Sequence, residues 1–332
     1  MKRFISVVIA NYNGSKTIAS CLESILNSNY DDFEVIVVDD CSTDNSVQII
    51  RGFNCKLIEL EENKGPAYAR NVGAKASNGD IMLFTDSDVC VKDDTLKLMN
   101  ETFERKPNIS SVVGLPDKNC KFRNVSSKYF NLRIYFNHVN LPDYIPILYG
   151  TISAVKRDAF FDVNGFDVHF KTAGVEDNDL GYRLSAKNYK IYSNKIIQVN
   201  HYKYISFFGL MRNDILRSMD RVKIMLRKRF VKKIITEKRF ISTPMAQIVS
   251  ALIIPFLVFS LFGLFFNLFS AVVIALLLLL FLKLNFDYLV FVYNEEGVLT
   301  SLQFYFLMLI DMFCVNIGLF LGIISYIMGE EY

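Results

Sequence analysis

The sequence predicts an α/β domain with a mostly parallel sheet and helices on both faces, followed by an amphipathic interfacial helix and about three transmembrane helices. Two observations predict this fold. Short apolar runs alternate with amphipathic stretches over the first 90 residues, a pattern typical of strands and helices that build a parallel sheet. Residues 248–282 then contain no charged side chain, and a core helix of a water-soluble domain rarely offers so long an apolar run.

The predicted elements follow one another in a regular order. Apolar runs predict strands over 4–10, 33–38, 55–60 and 81–85, and helical periodicity or capping residues predict helices over 15–27, from Ser42 or Thr43 onward, and over 65–76. Ligands of such sheets bind outside the carboxyl ends of the strands. Asn11, Asp40 and Asp86 each follow a predicted strand, so we expect them to converge on one edge of the sheet.

Asp86 and Asp88 flank a single residue at the end of the fourth predicted strand. Two carboxylates that close repel each other, and both stay ionised only with a cation near them. Carboxylate oxygens suit Mg²⁺ or Mn²⁺, so the pair is a candidate metal site. A turn that carries two solvated acids is the alternative, and the neighbouring strand end at Asp40 favours the metal.

A second acidic cluster, Glu176, Asp177 and Asp179, opens a predicted helix. The helix dipole stabilises acids at this position and would explain them without a catalytic role. The functional interpretation is a general base, since a carboxylate within hydrogen-bond reach can take a proton from an attacking hydroxyl group. His201 follows 24 residues after Asp177. A lone histidine is more often structural, but imidazole suits Mn²⁺ beside carboxylates.

Several other classes of protein are excluded by missing motifs. The sequence contains neither a dinucleotide-binding G-x-G-x-x-G, nor a P-loop, nor a G-x-S-x-G nucleophile elbow. Six scattered cysteines show no metal-binding spacing and fit a reducing compartment. The apolar stretch near the N-terminus is too short for a signal peptide and lacks a cleavage site, so residues 1–211 are expected in the cytosol.

Charge is distributed unevenly along the chain. The formal net charge of +3 combines zero over residues 1–211, +8 over 212–239 and −5 over 240–332. The basic segment carries an apolar stripe at helical spacing, formed by Met211, Ile215, Met219, Val222, Leu226 and Phe230. We interpret it as a helix at a membrane surface, attracted by anionic lipids. The alternatives are a solvated helix packed on the first domain and a nucleic-acid patch.

The uncharged run of residues 248–282 is too long for one membrane span. As a single helix it would measure about 52 Å, against a hydrocarbon core of about 30 Å. Gly263, Asn267 and Ser270 mark a turn that splits it. We predict spans over about 246–266, 268–284 and 301–328, of which the last contains one charge, Asp311. A buried core helix of a water-soluble protein is the disfavoured alternative.

Four ordered blocks resemble the inverting family 2 glycosyltransferases with the GT-A fold. They read SVVIANYNGSKTIASCLESIL, FEVIVVDDCSTDNS, NKGPAYARNVGAKASNGDIMLFTDSDV and GVEDNDLGYRL, within a match over roughly residues 4–205. The resemblance implies a nucleoside-diphosphate sugar donor and Mn²⁺ or Mg²⁺ as the cofactor. The retained Glu176-Asp177 pair favours a hydroxyl acceptor, and the apolar tail places that acceptor at the membrane. We therefore expect transfer to a lipid-linked saccharide in cell-surface glycan synthesis, with the lipid bilayer and no nucleic acid as partners.

The resemblance also implies residue roles. Donor binding is expected from Asn11, Tyr12, Asp40, Arg70 and Asp86; metal binding from Asp88, with Asp86 and His201; and catalysis from Asp177 as the base, beside Glu176. The segment DAFFDVNGF resembles the acceptor-side segment that precedes the base, and Gly150, Thr151 and Ser153 are expected to line that side. The chain departs from the family at Ala10, where proline is common, and lacks the Q-x-x-R-W motif of processive synthases.

Two alternative functions stay open. Polyprenyl-phosphate sugar synthases have a similar membrane layout, but their phosphate acceptor is already ionised and needs no base. A non-catalytic nucleotide-sugar-binding membrane scaffold is the other. The expected organisation is a glycosyltransferase domain over 1–205, an interface segment over 206–242 and a membrane region over 243–332. We expect a multi-pass protein of the cell (inner) membrane with its catalytic domain in the cytoplasm.

Overall fold

The computed structural model describes residues 2–170, 174–227 and 245–329. The chain divides into two compact units. The first contains residues up to 122 together with 138–203, and the second contains 123–137 together with the chain from 204 onward. Each unit has its own hydrophobic core, and the candidate site lies in the first.

One sheet forms the centre of the first unit. Its strands are β1 Ile5–Asn11, β2 Phe33–Asp39, β3 Lys56–Glu59, β4 Ile81–Asp86, β5 Val89–Cys90, β6 Ser111–Pro116, β7 Tyr144–Ile145, β8 Ile152–Lys156 and β9 Ile191–His201. The strand order is β3-β2-β1-β4-β8-β6-β9-β5, with β7 paired to β9. Strands β1 to β4 pair in parallel, whereas β8 runs antiparallel to both β4 and β6. The sheet is therefore mixed and mostly parallel, as predicted.

Helices accompany the sheet between its strands. They are, in chain order, α1 Ile18–Leu26, α2 Ser46–Ile50, α3 Pro66–Lys75, α4 Thr95–Arg105, α5 Val125–Val139, α6 Arg157–Asp162 and α7 Glu176–Ala186; nearly all of α5 belongs to the second unit. Buried side chains of β1, β2 and β4 pack against α1 and α4 to form the main core. On α3, Gly73 lets the helix approach the sheet, because a Cβ there would lie 2.4 Å from Val8 Cγ1.

The four strands and three helices predicted for the first 90 residues are all present. The strand ends differ from the prediction by a single residue. Helix α1 begins at Ile18 instead of residue 15, because Gly14 and Thr17 form a turn that precedes it. Sequence patterns assigned no strands between residues 91 and 190, where β6 and β8 are short and completely buried or nearly so.

The second unit is helical. Its helices after α5 are α8 Phe207–Arg227, α9 Met245–Gly263, α10 Phe269–Leu284, α11 Phe286–Glu296 and α12 Val298–Ile327. Within the described residues, α9 and α12 are each long and apolar enough to cross a membrane, and α10 with α11 forms a pair bent by 66° that passes the same test. The predicted turn at Gly263, Asn267 and Ser270 is present, and α11 is a helix that the sequence patterns did not reveal.

The apolar stripe predicted on the basic segment packs against α12. A Cβ at Gly318 would lie 2.3 Å from the carbonyl oxygen of Ile215, and one at Gly322 would lie 2.7 Å from that of Met219. These two glycines on one face of α12 therefore let α8 approach closely, a contact known from helix pairs in membranes. Phe230 and the rest of the interface segment beyond residue 227 lie outside the described residues.

Asp311, the charged residue inside the last predicted span, is buried and paired. It accepts a 2.8 Å hydrogen bond from the Tyr129 hydroxyl group and another from the Arg133 guanidinium. Arg133 also contacts Asp214 of α8 at 3.1 Å. A charge among apolar helices is costly unless it is paired, so Arg133 on α5 compensates the acids of α8 and α12.

Candidate functional site

Three predicted site residues meet at one edge of the sheet. Asn11 ends β1, Asp40 directly follows β2, and Asp86 ends β4. The parallel register pairs Asn11 with Asp39, the last residue of β2, and pairs Ala10 with Asp86. The carboxyl ends of three neighbouring strands thus deliver polar side chains to the same place, where open α/β sheets bind their ligands.

The β1 and β2 ends form a tightly hydrogen-bonded pocket wall. Asn11 is buried and donates to Asp39 Oδ1 at 2.7 Å, and Asp39 also accepts from the backbone amide and hydroxyl group of Ser42. Gly14 has no room for a side chain, since a Cβ would lie 2.2 Å from Asn11 Oδ1. Asp39 was not among the predicted site residues, although it directly precedes one of them in the sequence.

Asp40 and Tyr12 have different surroundings at this edge. Asp40 is buried, and its two carboxylate oxygens accept the backbone amides of Lys64 and Gly65 at 2.8 Å each. It therefore fixes the turn that leads into α3. The Tyr12 side chain is 52% exposed, so its ring is available for stacking against a ligand.

Asp86, Asp88 and His201 form a group that could hold a metal ion. One ligand atom from each lies within 4.8 Å of the others. The antiparallel pairing of β5 with β9 sets Val89 opposite His201, which brings His201 Nε2 to 3.3 Å from Asp88 Oδ1. Burial would raise the pKa of Asp88, but His201 outweighs it and lowers that pKa to about 2. Two carboxylates and an imidazole are a donor set that fits Mn²⁺.

Arg70 joins this group to the second acidic cluster. Its side chain is only 3% exposed and donates one 2.7 Å hydrogen bond to Asp86 Oδ1 and another to Glu176 Oε1. Its guanidinium also lies over the Phe166 ring at 5.5 Å. Burial would lower the pKa of Arg70, but the two carboxylates raise it above its ordinary value. Arg70 is therefore a permanently charged bridge between β4 and α7.

Glu176 and Asp177 open α7, as predicted, and their pKa values are shifted in opposite directions. Burial would raise the pKa of Glu176, but Arg70 and the backbone amide of Gly174 outweigh it and lower that pKa. For Asp177, burial and the neighbouring Glu176 carboxylate raise the pKa to about 7, against the opposing effect of Arg70. Two adjacent carboxylates with diverging pKa values are typical of acid–base sites.

Asp177 is held by the segment that precedes β8. The backbone amide of Gly150 donates to Asp177 Oδ2 at 2.5 Å, while the Asn178 side chain donates to the carbonyl oxygen of Leu148 at 3.0 Å. Gly181, one turn further along α7, makes room for the same segment, because a Cβ there would lie 2.4 Å from Leu148 N. Sequence patterns did not single out Asn178 or Gly181, because both contacts are made to a distant part of the chain.

The three residues predicted for the acceptor side differ in how close they lie to the acids and Arg70. A Cβ at Gly150 would lie 3.4 Å from Asp177 Oδ2, 3.6 Å from Arg70 Nη2 and 3.7 Å from Asp86 Oδ2, so Gly150 borders the whole cluster. Thr151 accepts a hydrogen bond from the Thr85 hydroxyl group through its carbonyl oxygen. The Ser153 side chain is buried and donates to the carbonyl oxygen of Tyr149.

Comparison with known families identifies two matching regions. The family described as glycosyl transferase family 2 matches residues 6–163. A second family, described as the N-terminal domain of galactosyltransferase, matches residues 131–206. Together the two matches include every residue of the cluster around Arg70.

Similar curated proteins include a poly-beta-1,6-N-acetyl-D-glucosamine synthase of Staphylococcus epidermidis. It is 30% identical over 200 residues, which are 56% of this chain and 47% of the relative. An uncharacterized glycosyltransferase of Haemophilus influenzae is 29% identical over 184 residues, 54% of this chain and 61% of the relative. The chain thus spans about half the length of the synthase that it matches.

A solved structure shares the fold. It is the mannosyltransferase PcManGT from Pyrobaculum calidifontis in complex with GDP-Man and Mn²⁺, with a TM-score of 0.58 and 17% sequence identity, covering 100% of this chain and 89% of that one. The likeness confirms the predicted GT-A fold class.

Removing the Arg70 bridge should destabilise the first unit. Arg70→Met leaves the buried Glu176 and the half-buried Asp86 without their cation, and we expect the free energy of unfolding to fall by about 3–5 kcal/mol. The control is Arg51→Met, which removes an exposed pair with Glu59 and should cost no more than about 1 kcal/mol. Urea unfolding followed by circular dichroism measures both, and equal stability of the two variants would contradict the bridge.

The cluster of Asp86, Asp88 and His201 should bind a divalent cation. We expect Asp88→Asn and His201→Ala each to weaken Mn²⁺ binding at least about tenfold, because each removes one ligand. His169→Ala is the control, since His169 is exposed, pairs with Asp167 and is not among the three residues grouped as metal ligands. Titration of free Mn²⁺ by electron paramagnetic resonance measures the affinities. Unchanged affinity in both ligand variants would rule out this site.

Proposed function

Because the chain belongs to glycosyl transferase family 2, we propose that it is a metal-dependent, inverting glycosyltransferase bound to the cell membrane. It moves a sugar from a nucleoside-diphosphate sugar to a hydroxyl group of a lipid-linked saccharide in cell-surface glycan synthesis. The observation that carries this proposal is the placement of Asp88, His201 and Asp86 within 4.8 Å of one another, with Arg70 hydrogen-bonded both to Asp86 and to Glu176 at the start of α7.

The comparisons support the classes of donor and product. The solved mannosyltransferase with the same fold holds GDP-Man and Mn²⁺, and the Staphylococcus epidermidis relative is named for synthesis of an amino-sugar polymer. The candidate membrane helices of the second unit suit an acceptor that is anchored in the bilayer. The basic segment over 212–239 favours the cytosolic face for the catalytic unit.

The donor binds at the carboxyl ends of β1, β2 and β4. The exposed Tyr12 ring stacks on the nucleobase, the wall of Asn11 and Asp40 borders it, and Asp86 lies near the ribose. Asp88, Asp86 and His201 would hold a divalent cation, which would supply positive charge against the charge that develops on the diphosphate. Arg70 holds Asp86 in a fixed orientation and adds positive charge to the donor side of the site.

Asp177 acts as the general base. Its carboxylate takes the proton from the acceptor hydroxyl group while the hydroxyl oxygen forms a bond to the anomeric carbon. The bond from that carbon to the diphosphate oxygen breaks on the opposite face, so that the nucleoside diphosphate leaves and the configuration inverts. The Gly150 amide and Asn178 orient the carboxylate, and its pKa of about 7 matches a base that works near neutral pH.

The same base argues against a polyprenyl-phosphate acceptor. A phosphate oxygen is already ionised at neutral pH, so its attack needs no proton acceptor. Two acids side by side in a buried site, Glu176 and Asp177, cost free energy. A phosphate acceptor would not need this base, so the cost would bring no benefit. The retained metal-binding group and base likewise argue against a non-catalytic nucleotide-sugar scaffold.

Asp177→Asn should abolish most of the transfer activity. An amide cannot accept the proton, and we expect the turnover number to fall by about 10²–10⁴-fold while donor binding stays nearly unchanged. The assay is transfer from a panel of UDP, GDP and dTDP sugars with Mn²⁺, and calorimetry measures donor binding. Asp32→Asn, at a half-exposed acid paired with Lys2, is the control, and wild-type turnover of Asp177→Asn would refute the assignment.

The pH dependence of transfer should report the base. Because the pKa of Asp177 is raised to about 7, the carboxylate is protonated below that pH, and kcat/KM should rise with pH through a midpoint near 7. Glu176→Gln removes a negative charge that raises this pKa, so its midpoint should move to lower pH. A midpoint that stays fixed, or that moves upward, would show that another group controls the profile.

A further inference from the structure

Helices α9 and α10 form an antiparallel hairpin, and hydrogen bonds at its base connect it to the other helices of the second unit. Asn285 Nδ2, directly after α10, donates to Ser250 Oγ of α9 at 2.8 Å. Asn316 of α12 donates to the carbonyl oxygen of Ala251 at 2.9 Å, and Gln247 donates to Asn137 at 2.9 Å. Polar contacts therefore cluster at the end of the hairpin where the chain enters and leaves it.

The opposite end of the hairpin is an apolar tip. Phe265 is 84% exposed and Leu268 is 85% exposed, and Phe262, Phe266 and Phe269 are also exposed. The tip contains neither a charge nor a tyrosine or tryptophan, the residues that usually anchor a helix end at a membrane–water interface. In water or among lipid headgroups this end would expose several large apolar side chains, at a cost of about 1.5–3 kcal/mol each.

The whole of α9 is long enough to cross a bilayer, but measured from the contact between Ser250 and Asn285 at its base the hairpin is too short to carry this tip across. Lys283, near the base, lies about 14 residues from Phe269 at the tip, which is about 21 Å of helix. The turn adds a few more ångströms, and the hydrocarbon core is about 30 Å thick. With Lys283 at one interface, the tip therefore ends inside the opposite leaflet.

The turn satisfies most of its own backbone groups. The amides of Leu264, Phe265, Phe266 and Asn267 donate to carbonyl oxygens between residues 261 and 263. The Asn267 side chain accepts the amide and the hydroxyl group of Ser270, and Gly263 allows Ser270 to approach. Since lipid offers no hydrogen bonds to a turn, this internal pairing suits a tip without water.

We propose that α9 and α10 form a re-entrant hairpin, which enters and leaves the bilayer on the same face and keeps its tip in the hydrocarbon core. Its partner is the acyl-chain region of the membrane. The net charge of +8 that precedes the hairpin over 212–239 sets the base on the cytosolic face. Helix α11 then begins on that face, after the 66° bend that follows α10.

Cysteine labelling in sealed vesicles tests this topology. Leu268→Cys reports the tip, and the matched Asn294→Cys reports an exposed position of α11, both in a chain in which all six native cysteines are replaced by alanine or serine. A membrane-impermeant maleimide is applied to right-side-out and inside-out vesicles. We expect Leu268→Cys to react in neither until detergent and denaturant are added, and Asn294→Cys to react only in inside-out vesicles.

Each other pattern overturns the proposal. Labelling of Leu268→Cys in right-side-out vesicles would mean that the hairpin crosses the membrane, and labelling in inside-out vesicles would mean that it stays outside the lipid. Labelling of Asn294→Cys only in right-side-out vesicles would make α10 and α11 one bent span. A spin label at Leu268→Cys adds a second readout: it should collide with oxygen more than with a water-soluble nickel complex, and the reverse preference would contradict a tip in lipid.

Discussion

The buried guanidinium of Arg70 is the interaction on which the candidate site depends. Asp86 at the end of β4 and Glu176 at the start of α7 are far apart in the sequence, yet each accepts a 2.7 Å hydrogen bond from Arg70. A single buried cation thereby compensates two acids, one from the donor and metal side of the site and one from the side of the proposed base. Without it, two carboxylates would lie near each other with no cation between them, an arrangement that like-charge repulsion disfavours.

The protonation behaviour of the site follows from this bridge. Arg70 donates to both Glu176 and Asp86 and lowers the pKa of Glu176, so Glu176 remains a negative neighbour of Asp177. Burial and that neighbour together raise the pKa of Asp177 to about 7, which leaves a carboxylate that can gain or lose a proton near neutral pH. The Gly150 amide and Asn178 orient this carboxylate without neutralising it. A half-buried Asp177 carboxylate beside Glu176 would be costly in a protein that only binds its ligand, because an uncharged side chain at position 177 would be more stable.

Sequence patterns predicted the parts of this site that depend on local chemistry. The strands that end in Asn11 and Asp86, the D-x-D pair and the acids that open α7 all follow from short apolar runs and their polar endings. The contacts between these parts could not be predicted from patterns. His201 reaches Asp88 because β5 and β9 pair in antiparallel register, and Gly150 reaches Asp177 because β8 enters the sheet beside β4. The resemblance supplied Arg70 as a residue near the donor, but its link to Glu176 is a long-range contact that only the folded chain reveals.

A double-mutant cycle in the free energy of unfolding tests the bridge most directly. Asp86→Asn, Glu176→Gln and the double variant are compared with the wild type by urea unfolding, which requires no knowledge of the donor or acceptor. If Arg70 compensates both acids, either single variant leaves it one charged partner. The double variant leaves the buried guanidinium with no charged partner from this pair. The loss in the double variant should then exceed the sum of the single losses by about 1 kcal/mol or more. Losses that add to within about 0.5 kcal/mol would show that the two acids are independent and would contradict this account.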